Sequence, residues 1–131
     1  MQRYDLQNEF TSVELERQLL AALVAKPETY YEVLDWVPPV VWAHYPDEYR
    51  AVADAIAKEQ PIPVLELEAE PSESPLELAE QLANLYQNRE AAQLFQEGLQ
   101  TLYNNNLSAK ELLLQMEQRL TQVQSNLKEI H

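Results

Sequence analysis

Apolar residues recur at the spacing of an α-helix along most of the chain. Leucines over residues 15–23 fall on one helical face. The same spacing of three and four positions returns over residues 49–56, 78–85 and 92–102. These periodic segments make up most of the sequence, which therefore predicts an all-α protein.

Prolines and breaks in the pattern set the expected helix bounds. The first helix runs to about Lys26, and Pro27 suits the first turn of a second helix that Pro38 must stop. A third helix opens at Pro46, where the carboxylates that follow favour the helix dipole. A long helix is expected from about residue 88 to residue 103.

Three helix starts carry the sequence pattern of a capping box. In each, serine or threonine is followed three positions later by glutamate, so that the two side chains can bond reciprocally to the backbone N–H groups of the first turn. The pairs are Thr11 with Glu14, Ser74 with Glu77, and Ser108 with Glu111. The sequence therefore predicts N-caps at Thr11, Ser74 and Ser108.

The last predicted helix carries a heptad seam, in which apolar residues alternate three and four positions apart. Two helices alone bury little surface. The seam therefore either covers the preceding helix at residues 92–102, with the pair folded back on the rest of the chain, or pairs with a second chain. The candidate interface residues are Phe95, Leu99, Leu102, Leu113, Met116, Leu120, Val123 and Leu127.

These elements predict one structural unit with two parts. A globular helical head spans residues 1–87 and includes an acidic connection at residues 60–75, where Val64, Leu65 and Leu67 could form a short strand. An antiparallel helical hairpin follows over residues 88–131, after a break at three consecutive asparagines.

Composition narrows the possible functions. The formal charge of −13, with scattered basic residues, argues against direct nucleic-acid binding and against anionic membranes. No apolar stretch approaches the length of a membrane span. The absence of cysteine is compatible with a cytoplasmic protein. A single glycine, Gly98, does not suffice for a P-loop.

No residue pattern predicts catalysis. Neither His44 nor His131 follows a glutamate by three positions, as a di-metal carboxylate bundle requires. No serine lies in a glycine-framed nucleophile turn. The glutamates over residues 66–80 could dock a basic partner, but a solvated connection is favoured. The aromatic middle of the chain, from Tyr30 to Tyr49, is expected to pack into the core. We therefore expect no catalytic residue, metal, cofactor or small-molecule substrate.

Several segments together resemble a known family. They are residues 12–23, residues 26–28 with 33–34, Trp42 with residues 49–52 and 55–56, residues 59–62, residues 89–92, Gly98, residues 108–113 and Glu117. In this order they resemble the N-terminal domain of the DnaB-type replicative DNA helicase. The stretch after Ile62 is shorter and more acidic than is usual in that family, and the P-loop motor domain is absent from this sequence.

The resemblance implies a non-catalytic assembly domain, from a helicase or a free-standing relative. In such helicases the head and hairpin form a collar of paired subunits and contact the primase. We therefore expect self-association as a dimer or a larger ring, and contact with a primase or a helicase loader. The alternatives are the C-terminal helicase-binding domain of a primase, which has a similar architecture, and an acidic docking protein.

Overall fold

The computed structural model describes residues 10–104 and 108–127, and no strand occurs in this part of the chain. Its α-helices are α1 (Val13–Ala25), α2 (Tyr30–Val33), α3 (Pro46–Ala57), α4 (Pro75–Tyr103) and α5 (Ala109–Leu127). Two 3-10 turns, Pro27–Thr29 and Pro39–Val41, precede α2 and α3. The prediction of an all-α fold is confirmed.

Helix α1 begins one residue later than its predicted cap requires. The N-cap is Ser12, whose hydroxyl oxygen accepts a hydrogen bond from the Leu15 N–H at 3.2 Å. The Glu14 carboxylate instead accepts a hydrogen bond from Gln18 Nε2 at 3.0 Å. The predicted capping box of Thr11 and Glu14 is therefore wrong, although the helix ends at Ala25 as expected.

The core lies where α1, α2, α3 and the first half of α4 meet. Its buried side chains are Leu19, Leu20, Leu23, Val33, Val37, Val41, Trp42, Tyr49, Val52, Ile56, Leu78, Ala79, Leu82 and Tyr86. The Trp42 and Tyr49 rings stack with their centroids 4.4 Å apart. Trp42 Nε1 donates to the Val37 carbonyl at 3.3 Å, so the polar atom of the indole is satisfied inside the core. Core packing of the aromatic residues is confirmed for Trp42 and Tyr49, whereas Tyr31 is exposed.

A buried carboxylate holds the segment that leads into α3. The two oxygens of Glu16 accept hydrogen bonds from the backbone N–H groups of Ala43, His44 and Tyr45, at 3.2, 2.9 and 3.1 Å. Glu16 itself is buried. Three charge-assisted hydrogen bonds offset the cost of removing this carboxylate from water, and they tie the segment to α1.

Arg89 of α4 ties the same region to the fourth helix. Its guanidinium donates to the carbonyls of Phe10 and Val41, at 2.8 and 3.1 Å. Burial lowers the pKa of Arg89, and the nearby Glu16 carboxylate opposes this shift. The guanidinium therefore links the start of α1, the turn before α3 and the middle of α4.

Helix α4 is continuous from Pro75 to Tyr103. The prediction of a separate helix that begins near residue 88 is wrong, and the predicted division between residues 87 and 88 falls inside this helix. Ser74 is the N-cap residue and Pro75 occupies the first helical position, both as expected, but the Ser74 side chain makes no capping hydrogen bond. The second predicted capping box is therefore wrong as well.

Helix α4 ends at the run of asparagines, and α5 begins after it. Asn104 is the C-cap of α4, whereas residues 105–107 lie outside the described residues. The Ser108 Oγ accepts a hydrogen bond from the Glu111 N–H at 3.2 Å. The predicted N-cap at Ser108 is therefore confirmed.

The acidic connection between α3 and α4 contains neither helix nor strand over residues 60–72. Ile62, Leu65 and Leu67 are partly buried against the core, whereas Val64 is exposed. The short strand considered for Val64, Leu65 and Leu67 does not form, because no other strand is present among the described residues to pair with it.

Candidate interface on helices α4 and α5

Helices α4 and α5 approach each other at the chain's only glycine. A Cβ atom placed on Gly98 of α4 would lie 3.2 Å from the Sδ atom of Met116 on α5. Leu94, one turn before Gly98, and Leu112, one turn before Met116, are both buried. Residues that are buried or in close contact therefore recur at four-residue spacing on both helices.

Contacts farther along α5 fix the relative direction of the two helices. The Arg119 guanidinium donates to the Glu97 carboxylate, and this hydrogen bond lowers the pKa of Glu97. Val123 packs against the core and, with Tyr86, lines a cavity of about 160 Å³. Met116, Arg119 and Val123 of α5 thus lie near Gly98, Glu97 and Tyr86 of α4, respectively. The residue numbers decrease along α4 as they increase along α5, so the described parts of the two helices run antiparallel. The hairpin itself stays a prediction, because its connection lies outside the described residues.

Eight large apolar side chains are exposed on the described parts of these two helices, Leu76, Tyr103 and Leu114 among them, and we call the other five the α4/α5 face. They are Phe95, Leu99, Leu102, Leu113 and Leu120, between 37% and 65% exposed. At about 100° per residue, those on α4 lie roughly 80–140° around the helix from Leu94, and those on α5 roughly 80–100° from Leu112. Because the helices are antiparallel, these equal offsets point to the same side of the pair.

Two of the remaining predicted interface residues, Met116 and Val123, do not belong to this face. Met116 is half-buried against Gly98, and Val123 is partly buried against the core. Leu127 is the last residue of α5, and its side chain lies outside the described part of the chain. The seam of α5 is therefore shared between an internal contact and an exposed surface.

The expectation that the seam covers residues 92–102 is wrong for the large side chains of that segment. Phe95, Leu99 and Leu102 remain exposed because the helices meet through Leu94 and Gly98 instead. Sequence reasoning misses Leu94 and Leu112 because it follows the longest run of heptad positions. The available signal is Gly98, whose lack of a side chain allows close helix approach.

Searches for other kinds of site return nothing within the described ranges. No group of three or more histidine, aspartate or glutamate side chains there could hold a metal ion. None of the helices described is both long and apolar enough to cross a membrane.

Comparisons of the chain with protein-family models, with curated proteins and with solved structures give no match. The resemblance to the helicase N-terminal domain therefore depends on the sequence positions alone.

Proposed function

We propose that this chain is a non-catalytic assembly domain that associates with a second copy of itself through the α4/α5 face. The supporting observation is that five large apolar side chains lie exposed on one side of two packed helices. Contiguous apolar surface of this kind marks protein–protein interaction sites in water-soluble domains. Two antiparallel helices from each copy would complete a four-helix arrangement about a twofold axis.

The distribution of charge favours this surface as the site where two copies of the chain associate. The whole chain carries a formal charge of −13, which opposes the approach of two copies. Residues 92–127 carry only two bases, Lys110 and Arg119, against three glutamates, Glu97, Glu111 and Glu117, a net charge of −1. Pairing through this nearly neutral segment brings less negative charge together than pairing through the rest of the chain.

Replacing Leu113 by glutamate tests the proposal. Leu113 lies in the α4/α5 face, and a carboxylate buried there without a partner would weaken association by about 100-fold or more. The matched control is Leu114→Glu, since Leu114 is 52% exposed on the same helix but points away from the face. Molar mass is measured by light scattering over a concentration series, with circular dichroism to verify helicity.

We expect the wild type and Leu114→Glu to form dimers or larger closed assemblies that dissociate on dilution. Leu113→Glu should remain monomeric at the same concentrations while retaining its helicity. A wild type that is monomeric throughout would contradict self-association and would favour the primase-type helicase-binding domain. Equal assembly of both variants would contradict the choice of surface.

The finer proposal is that the assembly is the collar of a DnaB-type replicative helicase. It is supported by the sequence resemblance described above, which runs in order through both the head and the last two helices. The test is a titration of the labelled chain with the replicative primase and with the helicase loader of the same organism. Saturable binding of either protein is expected, and no binding of either would contradict this part of the proposal.

A further inference from the structure

A cavity of about 570 Å³ opens between α2, α3 and the end of α5. Apolar walls come from Leu34, Pro38, Pro39 and Ala53, and the Tyr30 ring also lines it. Ser125 of α5 lies at its edge. The cavity is separate from the α4/α5 face, and none of the five face residues lines it.

Tyr49 supplies a polar group to this mostly apolar space. The side chain lines the cavity and is only 2% exposed, and it has no hydrogen bond within the described part of the chain. Burial, and then the neighbouring Tyr30, raise the pKa of Tyr49. The hydroxyl is therefore protonated at neutral pH, with its donor and acceptor both available.

Among the described residues, the charged side chains that line the cavity are Asp35, Arg50 and Asp54. Asp54 pairs with Lys58 at 3.1 Å, and Arg50 pairs with Asp47 at 3.4 Å. Asp35 also lines the cavity, but it has no ion pair with any described residue. A carboxylate without a counter-ion beside an apolar cavity favours a cation over an anion.

Asp35 also affects the pKa of Tyr30, whose ring lines the cavity. Burial, the neighbouring Tyr31 and then Asp35 raise the pKa of Tyr30, so the negative charge is felt at the Tyr30 hydroxyl. Tyrosine rings attract cations through their negative faces. The carboxylate and the ring therefore favour the same kind of ligand.

We propose that this cavity binds the guanidinium group of an arginine side chain presented by a partner protein. A guanidinium has five N–H donors in one plane, so it can donate to a hydroxyl and a carboxylate at once, and Tyr49 and Asp35 supply these acceptors in the lining of the cavity. Its face can lie against the Tyr30 ring, and its aliphatic stem suits the proline walls. An ammonium group is more strongly hydrated and lacks the planar face, so arginine is preferred to lysine.

The first experiment titrates the full chain with N-acetyl-arginine methylamide and follows its backbone amide resonances by NMR. The uncharged control is N-acetyl-citrulline methylamide, which keeps the shape of the side chain. Saturable shifts at residues around the cavity are expected with the arginine probe, and binding of citrulline should be at least about tenfold weaker. Equal binding of the two probes, or no binding of either, would overturn the proposal.

A second arm separates a protein partner from a small amine. An alanine-based peptide with one central arginine is compared with agmatine, which carries the guanidinium without a peptide backbone. The peptide should bind at least as tightly as agmatine. Tighter binding of agmatine would overturn the assignment to a protein partner.

Variants then assign the two polar contacts. Asp35→Asn and Tyr49→Phe should each weaken binding of the arginine probe, by about tenfold for the charge and severalfold for the hydroxyl. Glu32→Gln is the matched control, because Glu32 is an exposed acid on α2 that does not line the cavity. Thermal unfolding verifies that each variant is folded. Wild-type affinity in Tyr49→Phe or Asp35→Asn, or an equal loss in Glu32→Gln, would contradict the site.

Discussion

At the scale of single residues, Glu16 organises more backbone than any other side chain described. Its carboxylate receives three consecutive N–H groups, those of Ala43, His44 and Tyr45, just before α3 begins. The first two of these residues lie outside regular secondary structure, and Tyr45 is the N-cap of α3. Burying an N–H group without a hydrogen-bond partner costs free energy. The Glu16 carboxylate supplies the acceptors that a strand or helix would otherwise provide for these N–H groups.

Glu16→Gln should therefore destabilise the protein strongly. The amide keeps the shape of the side chain, but it has one acceptor oxygen instead of two and turns an NH2 group toward backbone donors. We expect a loss of about 2–4 kcal/mol in the free energy of unfolding, measured by denaturant titration with circular dichroism.

Glu14→Gln is the control for this variant, because Glu14 is an exposed acid on the same helix. Its free energy of unfolding should change by no more than about 0.5 kcal/mol. Similar unfolding midpoints for the two variants would show that the buried carboxylate is not required.

The cavity beside Tyr49 gives a second prediction at this scale. The Tyr45 hydroxyl accepts a hydrogen bond from Arg17 Nε at 2.8 Å, whereas the Tyr49 hydroxyl has no hydrogen bond among the described residues. Tyr45→Phe should lower the free energy of unfolding by about 1 kcal/mol, while Tyr49→Phe should leave it within about 0.5 kcal/mol. Thermal unfolding of both variants measures the difference. A larger loss in Tyr49→Phe would indicate an internal partner for that hydroxyl.

At the scale of elements, α3 ends in a conformation that its sequence does not favour. The Glu59 N–H donates to the Ile56 carbonyl at 3.2 Å, and the Gln60 N–H donates to the Ala55 carbonyl at 2.8 Å. These two bonds form a Schellman motif, which requires a left-handed residue after the C-cap. Glu59 takes that conformation with φ of 55°, where glycine is usual.

Glu59→Gly should therefore stabilise the protein. Glycine adopts the left-handed conformation without a steric penalty, and we expect a gain of about 0.5–1 kcal/mol, or a few degrees in melting temperature. Glu59→Ala retains the Cβ atom and removes the same charge, so it should give no comparable gain. A rise of equal size in both variants would attribute the effect to charge rather than to backbone conformation.

Local signals in the sequence predicted several elements well. The start of α3 at Pro46 and the cap at Ser108 depend on proline, serine and their near neighbours, so they could be read locally. The continuity of α4 could not be predicted from local signals. Its first half packs against the head, and its second half packs against α5. The apolar residues therefore lie on different sides of the helix in the two halves, and the sequence pattern resembles that of two separate helices. Only the tertiary contacts show that one continuous helix packs against both the head and α5.

The candidate site was predictable only in part. The heptad pattern selected the five residues of the α4/α5 face, but it also selected Met116 and Val123, which make internal contacts. Periodicity places residues on a helical face and does not say which partner covers that face. The cavity beside Tyr49 had no sequence signal, because an unsatisfied hydroxyl and an unpaired carboxylate are properties of the folded arrangement.

At the scale of the whole molecule, the chain divides by charge as well as by structure. The residues outside 92–127 carry almost all of the excess negative charge, and residues 92–127 carry the five side chains of the α4/α5 face. In the proposed assembly, two copies pair through residues 92–127 while the charges of the remaining residues repel each other. Raising the ionic strength should therefore strengthen association, because salt screens the repulsion between heads and leaves apolar burial intact.

The most direct test of assembly through the α4/α5 face uses the chain's two phenylalanines, Phe10 and Phe95. Phe95 lies in the face, whereas Phe10 lies beside α1, where its carbonyl accepts a hydrogen bond from Arg89. Incorporation of 4-fluorophenylalanine gives two ¹⁹F resonances, which a Phe10→Leu variant assigns. With increasing protein concentration, the Phe95 resonance should move toward that of a buried ring while the Phe10 resonance stays fixed. Resonances that both stay constant, or that move together, would contradict association through this face.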